Sequence, residues 1–311
     1  MLHVVLLAIV LASSRVEPFV PVGVTYAAWP TNEREQTVRD LQSLRAEGFN
    51  TIGARINWTD TPARLEAFES LIDLAADADL KVVVQVDTST VCPDRPDVRA
   101  AFVTFVEALT TRVARHAGFY AVDVTSSSRP PAGCGVAAND YYAALLADAT
   151  SVRDARSVIT DQWLFETSID PAVVRLDAWT ALSRGARGFM FAARSEASAA
   201  FARVVTRNPA LFAPLRLRRE LTPEVRVDGG SGTVDATFLE SADVLMLIGL
   251  NHSANVVRVT MSFTPDTQEA IWQNMETGTS VNFVAGADGP SYTHTFAARD
   301  ALVLMIRKSI R

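Results

Sequence analysis

Between residues 20 and 206 the apolar positions switch regularly between two periods. Val20–Tyr26, Thr51–Trp58, Leu80–Asp87, Phe119–Thr125, Ser157–Glu166 and Gly188–Ala193 are short runs rich in β-branched and aromatic residues, the pattern of buried strands. Between them, apolar residues recur every three or four positions, the helix repeat. These stretches are Asn32–Glu47, Ala63–Ala78, Asp97–His116, Ala138–Thr150, Pro171–Ser183 and Ala197–Thr206. Val38, Leu41 and Leu44 share a face of the first helix, and Gly48 stops it. Leu65, Phe68, Leu71, Ile72 and Ala75 line the second, and Pro171 suits the first turn of the fifth. Strands alternating with helices predict a parallel sheet covered by helices. Such units close into barrels, but the run offers about six strands where a (β/α)8 barrel has eight and spans about 250 residues. The expected fold is therefore α/β: a (β/α)8-type, TIM-like barrel in abbreviated form.

The pattern changes after Pro214. Short alternating segments follow at Val234–Leu239, Val244–Asn251, Val256–Phe263, Ala270–Trp272, Ser280–Phe283, Tyr292–Phe296 and Ala301–Ile306. They are separated by turn signals such as Asp228-Gly229-Gly230-Ser231-Gly232. Closely spaced short strands predict a small C-terminal antiparallel β-sandwich. Met246–Asn251 is apolar enough for a central strand. At the other end, Leu2–Ala12 is too short to span a bilayer, which takes roughly 20 residues. It suits the apolar core of a secretory leader, with Ala12 and Ser14 as the small residues before a cut ahead of Arg15. The competing reading is a buried first strand. The organisation expected is thus a signal peptide over 1–14, a barrel over 15–213 and a sandwich over 214–311, secreted or periplasmic, with no membrane span once the leader is removed.

Composition narrows the function. The 311 residues are 49% hydrophobic and 21% charged, ample for a core. A net charge of -6 lacks the basic footprint of a nucleic-acid binder. The four histidines are scattered and no CxxC spacing occurs, so no metal site is expected. Gly229–Gly232 reads as a turn and not a phosphate loop, and no cofactor is expected. The two cysteines, Cys92 and Cys134, each follow a predicted strand on what would be the same end of the barrel. They are disulfide candidates in an exported chain, the alternative being two unrelated thiols.

The candidate chemistry begins at Glu166. It closes the run Val158–Glu166 just before a helix, where a (β/α) barrel places its reacting groups. Four further stretches carry a family resemblance. They are Val22-Gly23-Val24-Thr25-Tyr26, Gly48-Phe49-Asn50 through Trp58, Phe119-Tyr120-Ala121-Val122-Asp123-Val124, and Trp179 through Phe189. In this order they resemble the first, second, fourth and eighth units of glycoside hydrolases of the large retaining barrel clan, nearest to family-42 β-galactosidase-like proteins. The resemblance implies a carbohydrate ligand, Glu166 as nucleophile, and an acid/base glutamate at the end of the fourth strand. By count that position is Ser127, whose hydroxyl is no general acid near neutral pH. The family's long stretch between these two points is also shortened here.

Retaining hydrolysis needs two carboxylates about 5–5.5 Å apart. Among substitutes for the acid, Asp87 closes the third strand on the same rim, whereas Asp161 precedes Trp163. Asp123 shares the parity of Ser127 but lies about 13 Å deeper at 3.3 Å per residue, and suits a core partner for Arg55. Arg55 resembles the clan's arginine that keeps the nucleophile ionised, or it forms a structural ion pair. Tyr26, Trp29 and Trp58, at the ends of the first two strands, offer faces for sugar stacking or ordinary rim packing. Trp163 either lines the site or fills the barrel. Two readings follow: a retaining-type glycoside hydrolase homologue with impaired chemistry, or a catalytically inactive carbohydrate-binding or scaffold protein.

Overall fold

The computed structural model describes residues 18–27, 33–60, 62–92, 94–124, 134–135, 138–151, 158–159, 163–166, 168–221, 223–228, 232–263, 271–286 and 289–308. The expected leader, Trp29, Ser127 and Asp161 lie outside them. Six parallel strands form the first sheet: β1 (Val22–Thr25), β2 (Thr51–Asn57), β3 (Lys81–Asp87), β4 (Phe119–Asp123), β5 (Trp163–Glu166) and β6 (Gly188–Phe191). Each leads to a helix, in turn α1 (Arg34–Ala46), α2 (Pro62–Asp77), α3 (Pro96–Val113), α4 (Ala138–Thr150), α5 (Pro171–Ser183) and α6 (Glu196–Thr206).

The strand order is β4-β3-β2-β1-β6-β5. The chain builds away from β1 as far as β4, then returns to the other side of β1. This is the neighbour order of the first four and last two strands of an eight-stranded barrel. Among the described residues no ladder joins β4 to β5. A single parallel bridge, Val122–Val158, marks one more strand position beside β4. Among the described residues the curled sheet is therefore an incomplete barrel.

Local chemistry explains several of these units. Gly48 ends α1 at φ 106°, a region costly for residues with a Cβ. Asn50 then bridges to the first strand: its Oδ1 accepts from Val22 N at 2.8 Å and its Nδ2 donates to Val20 O at 2.9 Å. The Gly-Phe-Asn signature is thus a helix stop followed by a strand clamp. Asp170 caps α5 by accepting from Ala172 N at 3.0 Å, with Pro171 next to it.

Side chains alternate between the two faces of the sheet. Val22, Val24, Ile52, Ala54, Ile56, Val82, Val84, Phe189 and Phe191 face the helices and share a core with Leu41, Phe68, Phe102, Trp179 and Phe201. The inner face is packed differently. A Cβ on Gly53 would lie 2.9 Å from both Gln85 and Met190. At Gly188 it would meet the Trp163 ring at 2.3 Å. Trp163 also stacks on Phe165, with centroids 6.1 Å apart, and meets Tyr120 of β4 at 6.2 Å. Tyr120 in turn touches Phe19 at 5.2 Å. Aromatic rings thus bridge the unladdered gap at the N-terminal end of the sheet.

After α7 (Pro209–Phe212) the chain becomes antiparallel. One sheet holds β7 (Arg216–Leu217), β9 (Val234–Glu240), β10 (Val244–Asn251), β12 (Trp272–Asn274), β13 (Ser280–Val281) and β16 (Asp300–Arg307). The other holds β8 (Glu224–Val227), β11 (Val257–Ser262), β14 (Val284–Gly286) and β15 (Gly289–Phe296). The periodicity did not expose β7, β8 or β14, which are two to four residues long and are specified by their ladders.

All eight residues of β10 are buried, because both its faces are covered. Leu245 and Leu247 join Phe238, Met261, Trp272 and Phe296 between the two antiparallel sheets. Val244, Met246, Ile248 and Leu250 instead join the core of the parallel half. Arg175 of α5 pins this seam. It donates to both carboxylate oxygens of Glu276, at 2.9 and 2.5 Å, to Asp300 Oδ1 at 2.5 Å and to Ala301 O at 2.5 Å. Burial opposes its charge, but Glu276 and Asp300 outweigh that and raise its pKa.

Candidate functional site

The C-terminal ends of β1, β2 and β3 surround a cavity of about 390 Å³ lined by Thr25, Tyr26, Ala27, Arg55, Asn57, Arg64 and Asp87. Register explains the assembly. Thr25 pairs with Gly53, Arg55 with Gln85, and Asn57 with Asp87. Paired residues of a parallel ladder share a face, so period two brings Thr25, Arg55, Asn57 and Asp87 to the inner side. Arg64 arrives from α2 and pairs with Asp60 at 3.1 Å. Three of the expected site residues, Tyr26, Arg55 and Asp87, thus meet in one cavity.

Their individual settings differ. Arg55 is exposed to the cavity, and among the described residues it makes no ion pair or hydrogen bond. Asp123 occupies the same layer through Gln85 but does not pair with Arg55, which corrects the expected core pair. Two strand spacings, about 10 Å, separate them. Asp87 Oδ1 accepts from Ser89 N at 2.9 Å, which fixes the loop after β3. Asn57 Oδ1 accepts from Thr59 N and Thr59 Oγ1, at 3.0 and 2.8 Å, holding the turn after β2.

The aromatic residues are mostly structural. Tyr26 contributes wall, but it is only 7% exposed and its hydroxyl donates to Asp40 on α1 at 3.2 Å. It offers no open face for stacking. Trp58 does not line the cavity; its Nε1 donates to Thr90 Oγ1 at 2.7 Å, and its ring packs against the helix-facing core. Trp163 stands at the opposite end of the sheet, over Gly188, and fills the barrel.

Glu166 is separated from Arg55 by the sheet itself. It pairs with Phe191, and Leu164 pairs with Phe189; both phenylalanines pack against Phe201 of α6. The Glu166 carboxyl therefore lies on the helix side, 8% exposed. Its Oε1 accepts from Ser168 N at 2.5 Å. It also shares a hydrogen bond with Asp177 of α5. Burial, then that hydrogen bond and the Glu166 charge, push the Asp177 pKa up to about 6, against a lowering by Arg184. Below about pH 6 a protonated Asp177 donates to Glu166; above it the two carboxylates carry like charge. Sequence reasoning missed Asp177, because pairing it with Glu166 requires the packing of α5 on β5. Asn57 was missed as well, although its parity with Arg55 along β2 is a signal that could have found it.

Cys92 and Cys134 are bonded, with Cα atoms 5.7 Å apart, tying the segment after β3 to the one before α4. A second cavity, of about 560 Å³, lies at the seam between Thr180 and Ser183 of α5, Arg184 just after it, and Ala236, Leu250 and His252 of the sandwich. None of these lining residues is shared with the first cavity.

No protein-family profile and no curated protein matches the chain. Solved structures do. A family-5 glycoside hydrolase from Bacteroides vulgatus superposes with a TM-score of 0.63 at 12% identity, covering 94% of this chain and 90% of that one. The chain is similar in fold to the TIM-barrel glycoside hydrolases. Another glycoside hydrolase gives a TM-score of 0.61 at 11% identity, covering 94% of both chains. A putative α-N-acetylgalactosaminidase from Bacillus halodurans gives 0.57 at 10%, covering 93% of this chain and 97% of that one. At these identities the likeness is one of fold, and no membrane-crossing helix occurs among the described residues.

Proposed function

We propose that this chain is a glycoside hydrolase-like protein that binds carbohydrate in the cavity at the ends of β1, β2 and β3. One observation carries the reading. The polar cavity with Arg55, Asn57 and Asp87 is formed, whereas Glu166 is engaged by Ser168 and Asp177 on the other face of the sheet. A carboxylate held there is not aimed at a sugar in the cavity. The position expected to supply the acid is Ser127, which would not protonate a leaving group. Export through the leader-like run at 1–14 belongs to the same reading, since glycans are abundant outside cells. The resemblance of the motif order to family-42 β-galactosidase-like proteins recommends galactosides as first ligands.

A retaining hydrolase acting through Glu166 is the competing reading. It draws support from the position of Glu166 at the end of β5, just before α5. Activated fluorosugar inactivators of galacto, gluco and manno configuration separate the two, read by intact mass. The binding reading expects an unmodified chain that still retains glycans on an array. A covalent adduct on Glu166 overturns it in favour of the hydrolase, and a blank array removes carbohydrate altogether.

A further inference from the structure

The Arg55 guanidinium has a position and, among the described residues, no counterion. It stands on the inner face of β2, in the wall of the cavity, and makes no ion pair among the described residues. The three acids that sequence or register would offer it are engaged differently. Glu166 lies across the sheet with Asp177 and Ser168. Asp123 is two strands away in the same layer. Asp87 lines the same cavity but accepts from Ser89 N and forms no ion pair with Arg55. Arg64 adds a second guanidinium to the wall, already shared with Asp60.

An arginine presents a planar fork of donors that matches a carboxylate in a bidentate pair. Neutral sugar hydroxyls can accept from the same fork, but without the charge assistance that a carboxylate supplies. Resting on the carbohydrate reading of this cavity, we propose that Arg55 is the anchor for an acidic sugar, the carboxylate of a uronic acid residue. Asn57 and Asp87, one layer nearer the rim, are the polar groups that take the sugar's hydroxyls: an amide that donates and a carboxylate that accepts. The net charge of the chain is -6, so attraction of an anion is a property of this cavity and not of the overall field.

The test compares α-1,4-linked trigalacturonate with its fully methyl-esterified form by titration calorimetry on the full chain. The two probes share the sugar chain and differ at the carboxyls, which the ester leaves uncharged and enlarges by a methyl group each. The expected result is tighter binding of the acid by about tenfold to a hundredfold, the worth of a charge-assisted hydrogen bond. Arg55→Gln, folded by its melt, is expected to erase that preference, with acid and ester binding alike. Equal affinities for acid and ester in the unmodified chain overturn the proposal without using any variant. Retention of the preference by Arg55→Gln also overturns it. Binding of neutral galactotriose alone overturns the acidic-sugar proposal but keeps the carbohydrate reading. No binding of any of these probes overturns the proposal, and the glycan array then decides whether the broader reading survives.

Discussion

Replacing Arg175 by methionine tests whether the two halves are joined by a specific ionic seam as well as by shared apolar burial. The substitution keeps an apolar stem and removes the guanidinium. Glu276 then loses two contacts and Asp300 one, while Trp179 Nε1 still donates to Glu276 Oε1 at 3.1 Å. Stripping the cation from a fully buried pair costs about 3–5 kcal/mol. Here the side chains of Arg175, Glu276 and Asp300 are 29%, 22% and 23% exposed, so water recovers part of the loss. Asp300 also keeps its hydrogen bonds from Ala297 N and Ala301 N. A destabilisation of about 2–3 kcal/mol is the resulting expectation.

Urea unfolding at neutral pH measures it. The core cluster that holds Val244, Met246 and Ile248 also holds Trp179 and Phe201, so one transition is expected for both halves. The double substitution Arg175→Met with Glu276→Met should cost less than the sum of the singles, since it removes the stranded carboxylate as well. A loss below about 0.5 kcal/mol for Arg175→Met would refute the seam, because that is the range of an ordinary surface change.

Two further predictions concern the parallel half. The Asp177 pKa is pushed up to about 6, so between its usual 3.8 and that value the folded chain holds a proton the unfolded chain has lost. Stability from this group is full below the unfolded value and falls as pH rises through about 6, and Asp177→Asn should flatten that fall and stabilise the chain at pH 7–8 by about 1 kcal/mol, allowing for solvent screening at a half-buried site. Melts recorded from pH 4 to 8 would contradict the shared proton if the two proteins showed the same slope. The disulfide between Cys92 and Cys134 closes a loop of 42 residues, and reduction or the double change to serine should lower stability by up to about 4 kcal/mol on loop-closure entropy. Identical denaturation midpoints with and without reductant would sink that expectation.

Much of the scaffold was written in the sequence. Strand and helix periods fixed the six parallel strands and their helices to within a few residues, because each unit buries one repeating apolar face. Gly48 and Asn50 show why a short signature is readable: a helix stop and a strand clamp both act over neighbouring residues. The unbroken apolar run of β10 announced burial on both sides. What the run cannot say is that its second face belongs to α5.

The site depended on tertiary structure. Parity along β2 placed Arg55 and Asn57 together, and the register with β3 added Asp87. The same parity, followed through β6 into β5, turned Glu166 to the helices, which no local pattern near Glu166 reveals. Its partner Asp177 comes from the helix that follows, and the lack of a counterion for Arg55 among the described residues depends on the register of several strands. Local periodicity specifies which face of an element is apolar. Which charged groups then meet is decided by register and packing between segments far apart in the chain, and those are settled only when the sheet curls.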